Sequence, residues 1–198
     1  MTMSIGLYAF DDMEMLDFAG PYQVFATASQ LSAQTSSPFT DDLFSLVTIG
    51  RTLDPVTARA GAVLQPQATI DDHPPLSCLV IPGSTGAKGA QADDPEAVTW
   101  ISATSSQVPV IAAVCTGAFL LARTGLLDGL QATTHADHVD DLRRRFPSIE
   151  VIDSRRWVDA GRFVTSAGLS AGIDMALHLV ERMASRELSV ATARRLDM

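Results

Sequence analysis

The chain has 198 residues, 46% of them hydrophobic and 19% charged, which is enough for a domain with a substantial core and typical of a globular rather than a disordered protein. Its formal net charge of −9 repels phosphate backbones, so non-specific nucleic-acid binding is not expected. No apolar run is long enough to span a bilayer, the start "MTMSIGLYAF" lacks the marks of a signal peptide, and two cysteines give no disulfide framework; free thiols, no membrane partner and a reducing, cytoplasmic setting are expected.

Strand-like and helix-like segments then alternate along the chain. Residues 4–10, "SIGLYAF", read as a buried strand, and residues 17–32, "DFAGPYQVFATASQLS", as a helix with Asp17 at its start and Pro21 tolerated in the first turns. After a polar loop, residues 44–50 read as a second strand, and the turn-rich stretch 51–71 as small strands and a hairpin. "LSCLVIPGS", residues 76–84, is a central-strand run that ends in a glycine turn. Asp and Pro open a helix over residues 93–106, and a fully apolar strand, "VPVIAAV", follows at 108–114 with helix immediately after it. The rest reads as a turn and short strand, a polar-faced helix stopped by Pro147, two strands around "VDAGR", and one long amphipathic helix over residues 170–188. The basic run Arg143-Arg144-Arg145 follows Asp140 and Asp141 at helical spacing and reads as a solvated, ion-paired face.

Uninterrupted apolar strands that alternate with helices predict an α/β domain over residues 1–198, with a doubly wound, mostly parallel sheet covered by helices on both faces. Ligands in such sheets sit outside the carboxyl ends of the strands. That rule selects the end of the first strand, the "PGSTG" turn and Cys115.

Cys115 lies in "AAVCTG", between strand and helix, with Ala113 and Gly117 small enough for a sharp nucleophile elbow. A thiol at a helix N-terminus is expected to have a lowered pKa. Cys78, inside a strand, reads as core. Gly83 and Ser84 are expected to aim backbone N–H groups into the cleft, where with the N–H of Thr116 they would form an oxyanion hole. Asp17 has two readings, helix N-cap and buried general acid/base beside the thiol. His135 likewise reads either as a capping or surface residue or as a partner of the thiol. His135, Asp137 and His138 lack a clear third ligand, so no metal site is expected. His73 and His178 read as structural.

The chain resembles the ThiJ/PfpI superfamily, which has the class I glutamine-amidotransferase-like fold. The resemblance is carried by "LDFAGPYQVF", "LVIPGSTG", "AAVCTGAFLLARTGLLDG", "ATTH" and "TSAGLSAGIDMALHLVE", in family order across nearly the whole chain. It implies a flavodoxin-like sheet, a reactive Cys115 at the elbow and a homodimer. The similar subgroups are the isonitrile hydratases, with Asp17, Cys115 and Thr116 at the catalytic positions and no cofactor, and the sensor halves of AraC-type regulators, which share "RELSVATARRL"-like residues after the last helix. Two departures stand out. Ser84 replaces the family's usual second glycine, and Thr116 stands where protease-like members carry a histidine, which disfavours peptidase activity. The implied function is cysteine-dependent hydration of a small electrophile such as an isonitrile; the alternative is ligand sensing or redox sensing at the same thiol. The residues after the last long helix are too few for a helix-turn-helix module, so direct DNA contact is not expected if this is the complete product. Tyr22, Phe119, Trp157 and Leu169 are candidate pocket-lining residues.

Overall fold

The computed structural model describes residues 2–35, 42–84 and 94–198. Thr85 and Gly86 of the expected glycine turn, and Asp93 at the expected helix start, lie outside the described residues. The elements are β1 (Met3–Tyr8), α1 (Met15–Thr35), β2 (Phe44–Gly50), β3 (Val56–Thr57), β4 (Val63–Leu64), β5 (Ala68–Thr69), β6 (Cys78–Ile81), α2 (Pro95–Ser105), β7 (Val110–Val114), α3 (Gly117–Arg123), β8 (Gln131–Ala132), α4 (Val139–Arg145), β9 (Glu150–Val151), β10 (Trp157–Asp159), β11 (Phe163–Ser166), α5 (Ser170–Met183) and α6 (Arg186–Arg195).

Seven strands form the main sheet in the order β10-β11-β7-β6-β1-β2-β5. Every pairing in it is parallel except β10 with β11. The centre is the most apolar part. All four residues of β6 and all five of β7 are buried, as strands covered on both faces must be. Right-handed crossovers send α1 to one face as the chain steps from β1 out to β2, and α2 and α3 to the other as it steps from β6 through β7 to β11. Accordingly α1, α5 and α6 pack together, and α2 packs on α3. The direction of winding reverses between β1 and β6, so the topological switch point lies where their carboxyl ends diverge.

The expected hairpin in the turn-rich stretch is the antiparallel pair β3–β4. α2 begins with its side-chain cap on Asp94, whose Oδ1 accepts from the N–H groups of Glu96 (3.1 Å) and Ala97 (3.2 Å). The basic run of α4 is ion-paired, with Asp140 to Arg143 at 3.1 Å and Asp141 beside Arg144 and Arg145. Two expectations need correction. Residues 150–166 hold three strands rather than two, because β9 leaves the main sheet to pair with β8. The long helix expected over residues 170–188 is broken at Ala184 (φ −128°, ψ −85°), where the Ser185 hydroxyl accepts from Leu188 N–H and starts α6. A good N-cap inside an apolar periodic run lets the chain turn α6 back onto α1 and α5.

α1 is tied to the sheet by a buried polar pair. Ser29 Oγ donates to the carbonyl of Phe44 (3.0 Å) and accepts its N–H (3.1 Å). Replacing Ser29 with Ala leaves both backbone groups unpaired in the interior, so Ser29→Ala is expected to lower unfolding stability by about 1–3 kcal/mol, read from the urea midpoint at unchanged slope.

Candidate functional site

β7 ends at Val114 and α3 begins at Gly117, so the chain reverses within two residues. Cys115 carries the turn at φ +56°, the left-handed region that costs a non-glycine residue of order 1–3 kcal/mol and persists only where neighbours over-determine it. Its N–H donates to Ser166 O (3.0 Å), and its carbonyl accepts from the Thr134 hydroxyl (2.8 Å) and from Ala118 N–H (3.4 Å). A side chain at position 117 would overlap the Ile81 carbonyl, which is why the elbow needs glycine after Thr116. The elbow expected from "AAVCTG" is therefore present.

Asp17 reaches the same point from α1. It is the third residue of the helix, not its N-cap, so the capping reading is set aside. The carboxylate is fully buried. Oδ1 accepts from Leu169 N–H (2.9 Å) and Oδ2 from Gly83 N–H (3.3 Å), and Cys115 forms a further side-chain hydrogen bond with it. Leu169 itself stands at φ +55°, so the residue that feeds α5 is strained in order to aim its N–H at Asp17. His135 completes the cluster. A side chain at Gly168 would overlap His135 Cδ2 and stand 3.2 Å from Cys115 Sγ, so the imidazole and the thiol flank one glycine. His135 Nδ1 accepts from Asp137 N–H (3.2 Å) as the cap of the 3-10 turn at residues 136–138, which places the ring proton on Nε2. The capping reading of His135 is therefore seen, and its ring lies beside the thiol.

The glycine turn does something other than expected. Gly83 N–H is engaged by Asp17, and Ser84 N–H donates to Thr116 Oγ1 (2.8 Å), whose hydroxyl donates back to Ser84 O (2.7 Å). These donors are spent on holding Asp17 and Thr116 and do not form a free oxyanion hole. Ser84 adopts no positive φ, so a side chain fits where the family's second glycine is usual.

The thiol also departs from expectation. Burial and then the adjacent Asp17 charge push Cys115 up to about 12, against the pull of the Thr116 N–H and hydroxyl. A seven-residue helix gives little counterweight when the sulfur is 1% exposed and faces a carboxylate. Burial likewise raises Asp17, opposed by the Leu169, Cys115 and Gly83 hydrogen bonds. A second negative charge in this space is disfavoured by both burial and the proximity of the two groups. Cys78, buried in β6, is pushed up to about 12 by burial and stays inert, as expected of core.

Of the candidate lining residues, Leu169 sits at the site, 43% exposed beside Asp17. Phe119 is buried against His138 and Phe146, Trp157 stacks on His178 at 4.0 Å, and Tyr22 packs on Phe18. His73 and His178 are structural, accepting from Trp100 Nε1 and pairing with Asp159 respectively. Thr134, Ser166 and Gly168 hold the site and were not singled out as candidates. The first lies in "ATTH" and the other two in "TSAGLSAG", motifs whose small and hydroxylated residues carry no chemistry of their own. Among the described residues no group of three or more His, Cys, Asp or Glu is placed to hold a metal ion, and no helix is long and apolar enough to cross a membrane.

The sequence matches the DJ-1/PfpI family over residues 3–182. The chain belongs to the DJ-1/PfpI family. It is 33% identical to isonitrile hydratase of Pseudomonas putida over 92% of this chain and 73% of that protein. It is 32% identical to the HTH-type transcriptional regulator GbdR of Pseudomonas aeruginosa over 95% of this chain, but it spans about half, 48%, of the regulator's length. Among solved structures, a ThiJ/PfpI family protein from Pseudomonas syringae superposes with a TM-score of 0.85 at 26% identity, covering 100% of this chain and 75% of that one. An AraC family regulator from Pseudomonas putida superposes at 0.83 with 18% identity, over 98% of this chain and 99% of that one, and shows the shared fold alone. The DJ-1/PfpI fold is therefore the flavodoxin-like α/β sheet described above, and the ThiJ/PfpI and AraC family structures share it.

The charge of Asp17 is one of the forces that keep the Cys115 thiol protonated. Asp17→Asn removes it, so iodoacetamide is expected to label Cys115 faster in this variant than in wild type between pH 7 and 9, read by peptide mass spectrometry; an equal or slower rate would contradict this effect of the charge.

Proposed function

We propose that this family member is a cysteine-dependent hydro-lyase of the isonitrile hydratase type, adding water to R–NC to give an N-substituted formamide. The observation that carries the reading is the fully buried Asp17 carboxylate set beside the Cys115 thiol at the elbow, a candidate acid/base next to a candidate nucleophile. The similarity to isonitrile hydratase over 92% of the chain supports it.

The proton inventory fits the reaction. Asp17 takes the thiol proton as Sγ bonds to the terminal isonitrile carbon, then delivers it to that carbon, giving a thioimidate, Cys115–S–CH=N–R. Asp17 next accepts a proton from water as the water oxygen adds to the same carbon, and passes it to nitrogen. The resulting Cys115–S–CH(OH)–NH–R loses its hydroxyl proton to Asp17, the C–S bond breaks, and the formamide leaves. Asp17 returns the proton to sulfur, so one water is consumed and the enzyme is regenerated. His135 lies beside the reacting sulfur, and Thr116 offers its N–H to Sγ when charge develops there. The chemistry draws on no cofactor. Residues 1–198 act in this reading as one domain, in a cytoplasmic homodimer.

A second reading, small-ligand sensing at the same pocket, is favoured by the GbdR match over 95% of the chain. Turnover separates the two. Wild type is expected to convert cyclohexyl isocyanide to its formamide, followed by chromatography, with Cys115→Ala inactive and Asp17→Asn reduced roughly 10²–10⁴-fold while both remain folded. Inert wild-type protein whose Cys115 still alkylates would overturn the hydratase and leave the sensor.

A further inference from the structure

The peptide unit between Cys115 and Thr116 is hydrogen-bonded at both ends by groups of the site. Its carbonyl oxygen accepts from the hydroxyl of Thr134 at 2.8 Å, and its N–H is that of Thr116, which favours the charged form of the Cys115 thiol. Thr134 is buried, at 1% exposure. It also immediately precedes His135, and the loop that carries both is held by Thr133 N–H on Thr165 Oγ1 at 2.8 Å.

A donor on a peptide carbonyl polarises the whole unit and makes its N–H a stronger donor, and such chains strengthen where the dielectric is low. We propose that Thr134 is a positioning residue for Cys115: through the 115–116 peptide its hydroxyl strengthens the Thr116 N–H that stabilises negative charge on Sγ, and it holds the elbow carbonyl in its left-handed conformation. The hydroxyl acts on sulfur through one intervening amide and touches no reacting atom. The inference rests on Cys115 as the reacting nucleophile and is independent of which electrophile it meets.

The groups that face Sγ from the packed elements are Asp17 of α1, His135 of the loop after β8, and the Thr116 N–H and hydroxyl. Of these Thr134 adjusts only the Thr116 N–H. The test is the rate of Cys115 alkylation by iodoacetamide from pH 6 to 10 in wild type, Thr134→Val, Thr134→Ala and Thr134→Ser, with circular dichroism and thermal midpoints alongside. Val matches the shape of Thr without its donor, Ala removes bulk as well in case the Val chain does not fold, and Ser keeps the donor. Val and Ala are expected to displace the rate–pH profile to higher pH, so that a profile moved by about one pH unit labels about tenfold more slowly at a fixed pH, and Ser to restore the wild-type profile. A hydroxyl with only a structural role would change the thermal midpoint and leave the profile in place, and that result overturns the proposal, as does a Ser variant displaced as far as Val. Wild-type Cys115 that takes no label at any pH overturns both this inference and the nucleophile assignment, whereas failure to hydrate isonitriles leaves the alkylation comparison intact.

Discussion

Everything near the switch point is arranged around one constraint: the Asp17 carboxylate is fully buried and its charge must be met. An unpaired buried carboxylate is costly, and the chain meets it with donors drawn from three distant places: the turn after β6, the strained residue before α5, and the elbow. The Leu169–Asp17 bond joins residues 152 positions apart. Two left-handed non-glycine residues, Cys115 and Leu169, are the conformational cost of bringing these groups together. The packing of α1 against α5 on the same face supports that strain.

The same arrangement would make the proposed chemistry charge-conservative. In the proposed hydration the thiol and the carboxylate exchange a single proton, and no intermediate places two anions in the buried space. The thioimidate and the tetrahedral adduct leave one negative charge on Asp17, the number present at rest. In that scheme the site never has to solvate a second charge, and the N–H of Thr116 meets charge where it develops on sulfur.

The architecture was legible in the sequence because its signals are local. Wholly apolar runs such as "LVIP" and "VIAAV" mark strands covered on both faces, and a cysteine between small residues at a strand–helix seam marks an elbow. What stayed hidden depends on distant residues. The direction in which the Cys115 pKa moves is set by burial and by Asp17, nearly a hundred positions earlier, so the local rule about helix N-termini gave the wrong sign. The Gly83–Ser84 turn looked like a source of free N–H groups because its partners, Asp17 and Thr116, are not its neighbours in sequence. The break at Ala184 was missed for the opposite reason: apolar periodicity runs through it, and only the capping hydroxyl of Ser185 marks the boundary. The hydroxyl of Thr134 left no trace beyond its place beside a histidine.

The ends of the main sheet carry a further consequence. Its outer strands, β5 and β10, are two and three residues long, and β10 runs antiparallel to its only neighbour in the sheet. β5 covers only Ile49 and Gly50 of β2, and the outward backbone groups of Phe44 and Thr48 are met by Ser29 and Gln67, so this flank offers little template for strand-to-strand growth between molecules. A sheet with such an apolar centre thereby presents little open backbone at its ends to a second sheet.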